Sequence, residues 1–146
     1  MQTQITFDFL TSTIAFIGTY LAYKEFKKSK ELNEIDKFIS YRGKLKNDPS
    51  LIKIVTHIQL WQNNLELKNQ IPDNISLFDF YNFISFFEEI NILITKSHLN
   101  KKTAKDMFAF YAIQIADNCY YWDRFGENYH NDNDWKNFRL LIEKMR

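Results

Sequence analysis

Between Ile5 and Tyr23 the chain alternates bulky apolar and small or polar positions with the period of a helix. At ~100° per residue, Asp8, Thr11, Ser12, Ala15, Gly18, Thr19 and Ala22 share one arc of roughly 120°. Ile5, Phe7, Phe9, Leu10, Ile14, Phe16, Ile17 and Leu21 occupy the remainder. Lipid tails gain nothing from small residues, whereas a neighbouring helix packs closely on them. The pattern therefore predicts a transmembrane helix with a self-associating face. Its length at 1.5 Å per residue is roughly 28 Å, close to the ~30 Å hydrocarbon thickness. A buried helix of a water-soluble domain is the competing interpretation. A cleaved signal peptide fits less well, because Met1 to Asp8 contains no basic residue.

After the span the apolar period continues. Leu32, Ile35, Phe38, Ile39 and Leu45 extend the same helix to about Lys44, where Gly43 and Asn47-Asp48 signal its end. Asp48 followed by Pro49 is a helix start, with the aspartate as N-cap and proline at the first position, for a second helix to about Lys68. Its apolar face includes Leu51, Ile54, Val55, Ile58 and Trp61. A turn at 71–74 precedes the pair Ser76 and Asp79, which caps a third helix from Leu77 to about Thr95. Phenylalanines and a tyrosine at 78, 80, 81, 83, 86 and 87 cover more than one face of it and predict burial against several neighbours. A fourth helix is expected from Asn100 or Thr103 to about Asp123, and a fifth from Asn133 or Asp134 to Met145. The fold class is all-α: an anchor over 1–23, a juxtamembrane helix over 24–47, and a cytosolic bundle over 48–146, with four to five helices after the span.

Charge sets the orientation and narrows the partners. No lysine or arginine precedes Lys24, and Lys24, Lys27, Lys28 and Lys30 follow at once, which keeps that side in the cytoplasm and the N-terminus outside the bacterial inner membrane. These lysines suit anionic lipid headgroups. The segment 24–46 carries eight basic and four acidic residues, but 73–146 carries nine basic and eleven acidic, so DNA binding is not expected. The single cysteine, Cys119, excludes an intramolecular disulfide and is read as a small buried apolar residue. His57 and His98 stand apart from other ligand-type residues, no metal or cofactor motif is present, and Glu88-Glu89 reads as a solvated helix edge.

One pair carries a candidate chemistry. Arg124 and His130 flank five residues at the junction of the fourth and fifth helices. The pair resembles the Arg-x(4 to 6)-His motif of HEPN-type ribonucleases, in which the guanidinium holds the scissile phosphate and the imidazole moves a proton. Phe125 and Gly126 depart from that pattern. The span, this pair, Phe86-Phe87-Glu88…Ile90…Leu93, Phe108-x-Phe110-Tyr111 and Trp135-x-x-Phe138 together resemble the small membrane-anchored accessory proteins of type VI-B CRISPR systems. That resemblance implies a ring-like homo-oligomer in the inner membrane that strengthens RNA-guided antiviral defence by perturbing the membrane. Three functions are then open: an oligomeric pore or depolarising effector acting with an RNA-guided effector protein, a tethered interaction module without conductance, and a HEPN-like ribonuclease.

Overall fold

The structure, a computed structural model, describes the backbone of residues 2–130 and 133–146 and the side chains of 16–130 and 133–146. Among these residues there are six α-helices and no strand. Helix α1 runs Gln2–Asn47, passing through Gly43 rather than stopping there. The chain divides into two compact units, Met1–Asp36 and Lys37–Arg146.

In the first unit every described side chain from 16 to 33 is exposed. Among the described residues no helix is long and apolar enough to cross a membrane. The expected transmembrane segment thus finds no support there. Most of it, from Ile5 to Ala15, lies outside the described side chains, and the described part from 16 to 23 is too short. Its weak point is also physical: Asp8, Thr11, Ser12, Thr13, Gly18 and Thr19 dilute its hydropathy.

The second unit is built from caps that the sequence announces. Asp48 accepts from the Ser50 and Leu51 N–H groups at 2.9 and 3.3 Å and starts α2, Pro49–Asn63, with proline first. The helix stops five residues earlier than expected. Asn64 turns extended (φ −147°), and its side chain accepts from Glu66 N–H, starting a 3-10 turn over Leu65–Asn69. An asparagine that bonds local backbone competes with helix continuation. Ser76 and Asp79 form a reciprocal capping box for α3, Leu77–Thr95. Helix α3 ends with Ser97 in the left-handed region (φ 55°), and the N–H of His98 reaches the Leu93 carbonyl at 2.8 Å. Asn100 caps α4, Lys101–Ala116. A single fourth helix to Asp123 is not observed, because Asn118 leaves the helix, caps a separate α5, Cys119–Arg124, and donates to the Lys68 carbonyl at 3.1 Å. After a 3-10 turn at Asn133–Trp135, α6 spans Lys136–Met145.

Helix α3 is the axis of this unit and packs against α2, α4 and α6. Phe80, Phe83, Ile84, Phe86, Phe87 and Ile90 are all at most 1% exposed. Burial on more than one face is observed for these residues, but Phe78, expected to be buried with them, is 68% exposed, as Leu77 and Ile92 are in part, so one side of the helix lacks a neighbour. Phe80 meets Trp122 and Phe125 at 5.0 Å and Tyr121 at 6.0 Å between ring centroids. At the other end Phe86 contacts Tyr41, Phe87 and Phe108. Phe38 reaches Phe108, and Leu45 is buried, so the last turns of α1 belong to this core rather than to a separate juxtamembrane segment.

Candidate functional site

Two regions carry the candidate residues. In the first unit Gly18, Thr19 and Ala22 are exposed on α1, and a Cβ placed on Gly18 would meet open space. Asp8, Thr11, Ser12 and Ala15, the other members of the small and polar arc, have side chains outside the described residues. Phe16, Ile17, Tyr20, Leu21, Tyr23 and Phe26 are 54 to 81% exposed, so large apolar groups surround the small ones with no cover from their own unit. Lys24, Lys27, Lys28 and Lys30 are likewise exposed. Clustered exposed apolar side chains are a common mark of an interaction surface.

The Arg124 and His130 pair is separated by the local backbone. Helix α5 closes at Gly126, whose φ of 72° favours glycine, with Glu127 N–H bonded to the Trp122 carbonyl at 2.8 Å. That turn ends the helix between Arg124 and His130, so the two do not share one helical face. Arg124 pairs with exposed Asp73 at 3.1 Å and borders a depression with Asn69, Ile71, Tyr120 and Asp123. His130 lies edge-on to Tyr129 and borders a different cavity of about 450 Å³. The carboxylates of Asp117, Asp123 and Glu127 line that cavity, against one guanidinium, Arg146, which is itself paired with Asp117. The cavity beside His130 is thus mainly acidic in its lining, a poor setting for a phosphate.

Chemistry of another kind is concentrated in the core. His57 is 3% exposed: Nε2 donates to the Leu67 carbonyl at 3.0 Å, and Nδ1 accepts from the Tyr121 hydroxyl at 2.7 Å. Burial pushes the imidazole below its ordinary pKa, against the opposing pull of backbone carbonyls at Leu67 and Gln70. Burial also raises Tyr121, so the pair is neutral, and it ties α2 to α5 and to the 3-10 turn. Its position one turn from Trp61 and Ile54, inside the apolar stripe of α2, was the signal that separates it from an ordinary surface histidine.

Asp79 is the second node. Burial alone would raise its carboxyl, but the Ser76 N–H at 2.8 Å, the Lys53 ammonium at 2.9 Å, the Ser76 hydroxyl and Ser50 together hold it at about 2. Two expectations are corrected nearby. Glu88 is not a solvated edge: burial raises its carboxyl, partly offset by the Phe138 backbone at the start of α6, where Trp135 makes no side-chain cap. Its neighbour Glu89 is half-buried too, bonded to Tyr41 and Lys44 at 3.1 Å. Cys119 is exposed at the first turn of α5 rather than buried, because Tyr121 and Trp122 take the inward positions of that short helix.

Among the described residues no group of three or more His, Cys, Asp or Glu side chains is placed to hold a metal ion. Comparison with family models, with curated proteins and with solved structures found no match to the chain.

Proposed function

We propose that the chain is a membrane-anchored helical effector that works by assembling copies of its N-terminal helix and thereby opening or depolarising the bacterial inner membrane. The observation that carries this reading is the exposed ring of Phe16, Ile17, Tyr20, Leu21, Tyr23 and Phe26 around open Gly18. Such a surface is stable only when lipid and other helices cover it. In this proposal Thr11, Ser12 and Thr19 face water, Ala15, Gly18 and Ala22 permit close helix packing, and Asp8 favours cations at the outer mouth. Lys24, Lys27, Lys28 and Lys30 sit at the cytoplasmic headgroups. On the resemblance to type VI-B accessory proteins, the setting of this action is antiviral defence beside an RNA-guided effector. The ribonuclease reading is less favoured, because Arg124 is paired with Asp73 and borders a different depression from His130.

Membrane potential in cells expressing the full chain tests the proposal. Depolarisation should be lost in Ser12→Leu or Thr19→Leu and retained in Arg124→Ala. Full activity after residues 5–23 are replaced by an unrelated span would leave only the tethered interaction module.

A further inference from the structure

Two different faces of α1 in the first unit complement each other in shape and charge. At ~100° per residue, Ile17, Leu21, Lys28, Leu32 and Ile35 fall within an arc of roughly 60° and form a ridge of long side chains. All five are exposed, the four aliphatic ones at 52 to 54%. Next to it Gly18, Ala22, Glu25, Ser29, Asn33 and Asp36 occupy a second arc of roughly 80°. These side chains are short or acidic, and Glu25, Ser29, Asn33 and Asp36 border a shallow depression of about 390 Å³ whose other wall is Lys28 and Leu32. Unit Met1–Asp36 holds no second element to cover either face.

We infer that the ridge of one copy packs into the groove of the next, with the copies parallel and Lys28 directed at Glu25 of the neighbour. This rests on the self-association reading above and adds its geometry. Charge decides which copy-to-copy contact is favoured. A two-fold pairing of ridge on ridge sets Lys28 against Lys28 and leaves both grooves open, and an antiparallel pairing of groove on groove sets Glu25 and Asp36 against their own kind. Ridge in groove instead brings opposite charges together and uses two distinct surfaces of each copy. Such a heterologous contact propagates from copy to copy and closes into a ring when the rotation allows. The aromatic side chains of Phe16, Tyr20 and Tyr23 fall on the side away from the ridge, free for the lipid interface.

The test uses the full chain in membranes with Cys119→Ser, since the native thiol is exposed. A chain with Leu32→Cys and a separately tagged chain with Asn33→Cys, expressed together, should form a mixed disulfide, whereas Leu32→Cys alone should not cross-link. Lys28→Glu should lower the cross-linked fraction about tenfold, and Glu25→Lys with Lys28→Glu should restore it. A monomeric wild-type protein in detergent overturns this inference together with the self-association it rests on. An oligomeric wild type that ignores Lys28→Glu, or whose Leu32→Cys chains cross-link to each other, overturns the ridge-in-groove geometry alone. An oligomeric wild type without the mixed disulfide does the same and assigns the ridge to lipid or a different protein.

Discussion

The helix of the first unit and the bundle of the second are opposite solutions to apolar surface. In the bundle, Phe80, Phe83, Ile84, Phe86, Phe87 and Ile90 of α3 are buried against α2, α4 and α6, while Leu77, Phe78 and Ile92 stay exposed. On α1 between 16 and 33 side chains of similar size are solvated. The bundle has a buried core besides exposed apolar residues such as Leu65 and Phe78, whereas no described side chain between 16 and 33 is buried. Large apolar side chains of the same kinds thus meet different fates in the two helices, and what separates them is the number of neighbours available.

The sharpest way to break this contrast is a matched pair of truncations. Phe80→Ala removes a ring that touches Trp122, Phe125 and Tyr121 and should cost the bundle about 3 to 5 kcal/mol in urea unfolding of the full chain followed by near-UV circular dichroism. Leu21→Ala should leave that transition within about 0.5 kcal/mol and reduce assembly instead. Equal effects of the two on bundle unfolding would erase the distinction.

Acid comes next. The Asp79 carboxyl, at about 2 in the fold against 3.8 ordinarily, contributes stability that is complete above the unfolded value and is lost as pH falls towards 2. The loss should be about 2 kcal/mol, and Asp79→Asn should flatten that part of the pH profile. His57 acts at higher pH by the same sign. Its folded value lies below 6.5, so the unfolded chain takes up the proton first, and stability should fall as pH drops below 6.5, by no more than about 1.4 kcal/mol per unit. His57→Gln should remove that dependence in midpoints taken at pH 7.5 and 5.5. The smallest effect belongs to Arg124→Ala. Its partner Asp73 is fully solvated, so neither the unfolding midpoint nor membrane depolarisation should change.

The bundle was legible wherever a local rule had a local cause. Asp48-Pro49 and Ser76 with Asp79 start α2 and α3 at the expected residues, because a cap needs only its own next turn. Asn64 and Asn118 were harder to read as breaks: each interrupts an apolar period that continues beyond it, and Asn118 is committed by a bond to Lys68 fifty residues away. The same distance hid the roles of His57 and Glu88, whose partners come from other helices. Arg124 and His130 are close in sequence, but the turn at Gly126 ends the helix between them, and they border different cavities. At the N-terminus the pattern gives a face and a direction, and the proposed partner for that face is a second copy of the chain or lipid.

Membranes from cells expressing the full chain, washed at alkaline pH and then solubilised, provide the most direct measurement. The protein should stay with the membrane pellet and emerge in detergent as an assembly of several 17.7 kDa chains. Release into the wash as a monomer would contradict the account.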